Sequence, residues 1–231
     1  MQRRLFTTGL VACAGAFGSF ACADADAAAI SDADAANGVK AALERGAIAA
    51  VALLGRPGGF LDNPKVRIPL PGFLDDLAKI ARFTGQQARV DELVTAMNRA
   101  AEAAVPQARA LLVSAVKTVT VQDGRRILGG GDTSVTEFFA GRTRAPLTER
   151  FLPIVTRATE KVALAAKYNA LAGKAASAGL LKTDDANLQR YVTGKSLDGL
   201  YLVIGEEERK IRQDPLGTGS AILAKVFGAL K

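Results

Sequence analysis

Apolar residues recur every three or four positions along most of this chain, which is the spacing of one face of an α-helix. The first such stripe consists of Val39, Leu43, Ala47, Val51 and Leu54. Ser31 or Asp32 can cap the helix that this stripe predicts. Gly38 and Gly46 weaken the helix locally, and glycine is tolerated best where another backbone crosses closely. The pattern predicts a helix that ends at about residue 54.

The helical pattern stops between residues 55 and 72. This segment holds four prolines and four glycines, and no regular element survives that density. Its apolar residues are nevertheless too many for a free linker: Phe60, Leu61, Val66, Ile68 and Leu70. We therefore expect an ordered loop on the body of the protein, serving either as a stiff connector between helices or as the wall of a groove.

Helical spacing returns after this loop and continues almost to the end of the chain. Helices are predicted over residues 73–84, 87–105, 107–119, 120–128, 164–178, 184–213 and 219–230. Pro106 is expected to kink or break the chain between the second and third of these helices. Thr120 and Asp123 have the spacing of a capping box at the start of the fourth.

The pattern is less uniform after this capping box. Gly129-Gly130-Gly131 ends one helix, and Asp132 or Thr133 can start another short one. A separate stripe then continues despite Pro153: Leu147, Phe151, Ile154, Ala158 and Val162. Strict alternation of apolar and polar residues, which is typical of a strand, is not sustained anywhere. The sequence predicts an all-α, single-domain multi-helix bundle with a Pro/Gly-rich ordered loop at residues 55–72.

Residues 1–23 have the arrangement of an export signal. The basic pair Arg3-Arg4 precedes a mildly apolar stretch, and Ala21 and Ala23 provide the small residues that signal peptidase accepts. The segment Arg3-Arg4-Leu5-Phe6 is similar to part of a twin-arginine signal, and both the twin-arginine and the general secretory route stay open. Cleavage would leave a flexible leader over residues 24–31 and a helical domain over residues 32–231.

Such a signal would deliver the protein to the periplasm. The apolar stretch is too short and too often interrupted to make a good membrane span, so no transmembrane span is expected in the mature chain. Leu10-Val11-Ala12-Cys13 is similar to a lipobox, and Cys22 has the better position. A lipid anchor at Cys13 or Cys22 is therefore the alternative to a soluble form.

The composition narrows the chemistry that the folded chain can perform. The sequence has 231 residues, no histidine, and two cysteines that both lie inside the predicted signal. Without histidine there is no Ser-His-Asp or Cys-His pair and no His-based zinc site, and the mature chain would have no thiol nucleophile. We predict neither a metal nor a cofactor, and only carboxylates, hydroxyls, lysine, arginine and tyrosine remain for chemistry.

The chain is also basic. It carries 30 Lys and Arg against 23 Asp and Glu, a formal charge of +7 that would fall to +5 with the loss of Arg3 and Arg4. Several cations are close in sequence, but their spacing does not assign them to one patch: Arg142, Arg144, Arg150, Arg157 and Lys161. The natural partners of this charge in an exported protein are lipid headgroups or acidic polysaccharide, and not nucleic acid.

Five segments occur in an order that resembles the bacterial domain-of-unknown-function family 4197. These segments are Asn63–Pro71, Met97–Glu102, Phe151–Ile154, Tyr191–Leu200 and Ile204–Glu208. The resemblance extends from about Asp32 to Phe227 and implies an exported, helical, single-domain protein of Gram-negative bacteria with no assigned reaction. Gly194, Ser196 and Gly205 depart from the expected pattern, which predicts a weak point in the helix over residues 184–213.

The same predicted helix provides the first candidate site. On a helical wheel centred on Ile204, several apolar residues form one stripe: Leu197, Leu200, Tyr201 and Ile211. Glu208 falls inside that stripe, while Leu202 and Val203 make the other faces apolar and predict a central, buried helix. A buried Glu208 is either a paired structural ion or an acid with a tuned pKa. The remaining alternative is an exposed helix end with Glu206, Glu207 and Glu208 in water.

The second candidate site consists of Asn98, Arg99 and Glu102. Asn98 lies at the edge of an apolar helix face, and Arg99 can pair with Glu102 three positions later on the surface. The alternative is that Arg99 meets Glu207 or Glu208 in a polar core that binds a ligand headgroup. Arg67 and Asp198, which lie in two of the family-like segments, complete the candidate binding residues.

We therefore expect a non-enzymatic module that binds an amphiphile or a partner in the cell envelope. A periplasmic enzyme is the first alternative, with Glu207 or Glu208 as acid or base and Arg99 holding an anion. A structural or assembly role is the second. No catalytic residue is assigned.

Overall fold

A computed structural model describes residues 31–72, 85, 87–131, 134–177 and 187–228. The predicted signal peptide, with Cys13, Ala21, Cys22 and Ala23, lies outside these ranges. The predicted leader, apart from Ser31, and the predicted helix over residues 73–84 also lie outside them.

The described residues are mostly helical, contain no strand and form one domain, which confirms the predicted all-α bundle. The helices are α1 (Asp32–Leu54), α2 (Gln87–Ala104), α3 (Ala108–Lys117), α4 (Val121–Gly129), α5 (Ser134–Thr159), α6 (Ala163–Ser177), α7 (Leu188–Gln213) and α8 (Ala221–Gly228). Within the described ranges, no helix is both long and apolar enough to cross a membrane.

Local signals in the sequence determine where several helices begin. Ser31 caps α1 by accepting a hydrogen bond from the backbone N–H of Asp34 at 3.1 Å. Thr120 and Asp123 form the predicted capping box at the start of α4. Pro106 lies in a 3₁₀ turn, Val105–Gln107, that separates α2 from α3. These contacts involve residues close in sequence, so the sequence pattern alone is enough to find them.

The prediction of two separate elements after the glycine run is wrong. The structure has one continuous helix, α5, with Pro146 and Pro153 inside it. Each proline removes one helical hydrogen bond. The helix persists because one side is fully buried against α2 and α7, through residues that include Val135, Phe139 and Phe151.

Helix α7 is the centre of the bundle and packs against α1, α2 and α5. It is unbroken from Leu188 to Gln213, so the weak point expected at Gly194, Ser196 and Gly205 does not occur. Val203 is buried as expected, but Leu202 is 45% exposed. Helix α7 is therefore central without being buried on every face.

Helix α1 crosses α7 closely at a glycine, as the sequence predicts. A Cβ atom at Gly46 would lie 3.6 Å from the backbone oxygen of Ile204 in α7. This distance is an ordinary van der Waals contact, so the helices are close at this crossing but leave room for one methyl group. This crossing holds the C-terminal half of α1 beside the loop that follows it.

The loop over residues 55–72 is ordered and packs on the bundle, as predicted. Phe60, Val66 and Ile68 are buried in the main core. The loop lies against both α2 and α7, because its residues contact side chains of both helices. Its position brings together three segments that are far apart in sequence.

Candidate functional site

Asn98 of α2 holds the loop through its buried amide group. Its Oδ1 accepts a hydrogen bond from the backbone N–H of Ile68 at 2.8 Å. Its Nδ2 donates to the backbone oxygens of Ile68 at 3.0 Å and Val94 at 2.8 Å. Asn98 is completely buried, and both ends of the amide are used. The side chain therefore pairs with both backbone polar groups of one loop residue.

Glu102 holds the other end of the loop from the next turn of α2. Its Oε1 accepts hydrogen bonds from the backbone N–H groups of Phe60 and Leu61, both at 3.1 Å. Its Oε2 accepts from the guanidinium of Arg99 at 2.6 Å. Only 5% of Glu102 is exposed, whereas the Arg99 side chain is 45% exposed. We call Asn98 and Glu102, four residues apart on one face of α2, the loop clamp.

The environment of Glu102 lowers the pKa of its carboxyl group. Burial alone raises this pKa, but the hydrogen bonds from Arg99 and from the backbone of Leu61 and Phe60, together with the charge of Arg99, outweigh that effect. The ionised form is thus stabilised in the folded state. At neutral pH the carboxylate acts as a hydrogen-bond acceptor and not as a proton donor.

This lowered pKa makes stability depend on pH. Because the pKa is lower in the folded than in the unfolded state, the contribution of Glu102 is complete above about pH 4.3 and decreases as the pH falls through the folded-state pKa. We expect urea denaturation between pH 6 and about pH 3 to show a weaker pH dependence for Glu102→Gln than for the wild type. The exposed Glu92, changed to Gln, should leave the dependence unchanged, and equal slopes in all three proteins would contradict this prediction.

Helix α7 contacts the loop from the other side. The hydroxyl of Tyr191 donates to the backbone oxygen of Pro69 at 3.2 Å. A Cβ atom at Gly199 would lie 2.9 Å from Cε1 of Phe60 and 3.2 Å from Cβ of Val66, so only glycine fits there without displacement of the loop. The family-like segments Asn63–Pro71, Met97–Glu102 and Tyr191–Leu200 therefore meet around the loop.

Asp198 and Arg67 lie outside the loop clamp. Asp198 forms an ion pair with Arg144 at 2.7 Å, and both side chains are about half exposed. Such surface pairs contribute little to stability. The Arg144 guanidinium also lies 5.3 Å from the ring centre of Tyr201, whose pKa is raised by burial. Arg67 is exposed on the loop.

Glu208 is buried as the wheel predicts, with 4% of its surface exposed, and it is paired. Its partner is Arg212, one turn later in α7. Arg212 also donates to the backbone oxygens of Ile127 at 2.7 Å and Leu128 at 3.3 Å. These are carbonyl groups of the last turn of α4, where a cation is favourable. The pair therefore joins α7 to α4.

The structure does not bring Arg99 together with Glu207 or Glu208. Glu207 pairs with Lys210, and the carboxylates that act on Arg99 are Glu102 and Asp62. The alternative of a polar core that contains Arg99 and these two glutamates is therefore wrong. Arg99 instead pairs with Glu102, three positions later in α2, so the predicted surface pair of these two residues is present.

A groove of about 600 Å³ lies between α1 and α3, and we call it the α1–α3 groove. Its apolar lining, which we call the floor, includes Ile48 from α1, Pro106 from the 3₁₀ turn and Val113 from α3. Its charged lining, which we call the rim, comes from three helices: Glu44 of α1, Arg109 and Lys117 of α3, and Arg150 of α5. The groove thus combines apolar and basic surface.

The pattern of the sequence does not predict this groove. Arg109, Val113 and Lys117 are four residues apart within the predicted helix over residues 107–119, so their common face could have been read from the sequence. The addition of Arg150 could not, because it comes from another helix. In the sequence, Arg150 is one of several cations whose spacing does not assign them to one patch.

In the described ranges, no three His, Cys, Asp or Glu side chains are grouped so that they could hold a metal ion. No curated protein and no solved structure matches the chain. A family model described as "Protein of unknown function (DUF4197)" matches residues 29–228. Because this match covers nearly the whole sequence, the chain belongs to the DUF4197 family of proteins of unknown function.

Proposed function

We propose that this protein is an exported, non-enzymatic module that binds an amphiphile in the α1–α3 groove. The observation that carries the proposal is the combination of an apolar floor and a charged rim in one groove of about 600 Å³. This volume lies in the range of about 300–1,000 Å³ that is usual for small-molecule sites. An amphiphile would place its chain on Ile48 and Val113 and keep its headgroup at the rim.

The loop clamp and the glutamates of α7 support a non-enzymatic role. Asn98 and Glu102 use their polar atoms to hold the loop, and Glu208 is paired with Arg212. A general acid or base must reach a substrate and exchange its proton at the working pH. The lowered pKa of Glu102 and its bonds to backbone N–H groups favour a structural carboxylate.

The N-terminal sequence supports export to the periplasm. Cleavage after Ala23 would give a mature chain that starts at Asp24 and has a formal charge of +5. A form lipidated at Cys13 or Cys22 would start at that cysteine, and it would be heavier by the lipid and by the residues retained before Asp24. The intact mass of protein recovered from the periplasm of the host distinguishes these forms, and recovery from the cytoplasm with residues 1–23 still present would contradict the proposal.

Binding of a neutral amphiphile tests whether the groove accepts an acyl chain. We expect 1-monomyristoylglycerol to bind the purified mature chain one to one, as measured by native mass spectrometry and by displacement of a fluorescent fatty probe. Val113→Gln places a polar group on the groove floor and should weaken binding about tenfold, which corresponds to about 1.4 kcal/mol. The change should leave the melting temperature close to that of the wild type, because Val113 is only partly buried.

Leu202→Gln is the matched control, because Leu202 is an exposed apolar residue of α7 and does not line the groove. It should bind the probe with wild-type affinity. Equal binding by Val113→Gln and the wild type would overturn the proposal, and so would failure of the wild type to bind both this lipid and a charged lipid of the same chain length. Copurification of an envelope protein that is released by Val113→Gln would favour a protein partner instead.

A further inference from the structure

The net charge of the rim of the α1–α3 groove indicates which lipid headgroup would fit it. Arg109, Lys117 and Arg150 contribute three positive charges, and Glu44 contributes one negative charge, so the formal balance of the rim is +2. A phosphate monoester carries about −1.5 to −2 charges at pH 7. We propose that the groove, whose use by an amphiphile rests on the function proposed above, selects a single-chain lipid with a phosphate monoester headgroup.

Several basic residues of the described ranges are already paired with a carboxylate, which offsets their charge. Arg142 pairs with Asp123, Arg144 with Asp198, and Arg212 with Glu208. In the part of the chain that the structure describes, Arg109, Lys117 and Arg150 take part in none of the salt bridges. Three like charges around one groove repel each other, and a bound dianion would relieve that repulsion.

The arrangement of the rim also fits one headgroup and one chain. Arg109 and Lys117 are eight residues apart on α3, a rise of about 12 Å, with Val113 midway between them. Arg150 reaches the same groove from α5. Arginine can bind phosphate oxygens through two parallel hydrogen bonds, and lysine adds a point charge. A groove of about 600 Å³ with this apolar floor favours one acyl chain over two.

The test compares three lipids that share a 14-carbon chain and differ in the headgroup. These are myristoyl lysophosphatidic acid, myristoyl lysophosphatidylcholine and 1-monomyristoylglycerol, each used below its critical micelle concentration with the mature chain. We expect the phosphate monoester to bind at least about 30-fold more tightly than the neutral lipid at low salt, with the zwitterionic lipid close to the neutral one. The advantage should shrink as salt is raised, because exposed charges are screened.

A triple variant, Arg109→Gln with Lys117→Gln and Arg150→Gln, should lower the affinity for the phosphate monoester to that for the neutral lipid. Its affinity for the neutral lipid should stay unchanged. The control triple variant changes Arg89, Lys161 and Lys167 to Gln. It lowers the net charge equally, at exposed residues that do not line the groove, and it should keep the wild-type preference.

Each other outcome overturns a defined statement. Equal binding of the three lipids, or an unchanged preference in the first triple variant, overturns the inferred headgroup but leaves amphiphile binding intact. Absence of binding by all three lipids overturns both proposals. Inorganic phosphate that binds as tightly as the phosphate lipid would show a simple anion site and would overturn the lipid as the occupant.

Discussion

Glu102→Ala should lower the free energy of unfolding at pH 7 by about 2–4 kcal/mol, one of the two largest effects that we expect from a single change in this protein. The substitution leaves the backbone N–H groups of Phe60 and Leu61 without their acceptor. A buried donor that loses its partner costs about 1–3 kcal/mol. The N–H of Phe60 is buried and that of Leu61 is partly buried, so the second should cost less. Urea denaturation measures the total.

Two further variants separate the hydrogen bonds from the charge of Glu102. Glu102→Gln keeps an oxygen that can accept from both N–H groups and loses only the ion pair with the half-exposed Arg99, so we expect a loss of about 1 kcal/mol. Glu92→Ala, at an exposed position of the same helix, should stay within about 0.5 kcal/mol of the wild type. If Glu102→Ala is no more destabilising than Glu92→Ala, the loop clamp does not hold the loop as described.

Asn98→Asp should destabilise the protein by about 3–5 kcal/mol at pH 7, although the two side chains have nearly the same shape. The carboxylate still accepts from the N–H of Ile68, but its second oxygen faces the backbone oxygens of Ile68 and Val94. Three acceptors then meet without a donor in a fully buried place, and a charge is buried with them. Thermal and urea denaturation give the loss.

The variant should also respond to pH in the opposite direction to Glu102. Burial among acceptors favours the protonated carboxylic acid, whose O–H can donate to one of the two carbonyl groups. The difference in stability between Asn98→Asp and the wild type should therefore shrink as the pH is lowered from 7 to about 4.5. A constant difference over this range would contradict the hydrogen-bond assignment of Asn98.

Asn63→Asp is the matched control for this change. The Oδ1 of Asn63 accepts a hydrogen bond from the backbone N–H of Lys65 at 3.2 Å, and an aspartate can make the same bond. Asn63 is only partly buried and belongs to the same loop. We expect its variant to unfold with nearly wild-type stability at pH 7.

Three of the five family-like segments of this chain meet at the loop clamp. Asn98 and Glu102 lie in the segment Met97–Glu102. Asn98 holds the backbone of Ile68 in the segment Asn63–Pro71, and Glu102 holds the backbone of residues 60 and 61 just before it. Gly199 lies in a third segment and provides the space for Phe60. These residues therefore have a structural role, and the groove on another part of the bundle is the better candidate for binding.

Much of the secondary structure could be predicted from the sequence because its causes are local. Ser31 and the pair Thr120 and Asp123 cap helices through contacts between residues three apart. The burial of Glu208 also follows from its position on a helical wheel. The proline-rich loop was recognisable as ordered, since its apolar residues needed a place in the core.

The partners of buried polar groups that lie far away in the sequence were decided only by the tertiary structure. Glu102 receives hydrogen bonds from residues 41 and 42 positions away, and Arg212 reaches carbonyl groups 84 and 85 positions away. No periodicity encodes such distances, which depend on how the helices cross. The continuity of α5 across two prolines and the meeting of Arg150 with α3 have the same origin. Sequence periodicity determined which side chains turn inward, and packing determined what they meet there.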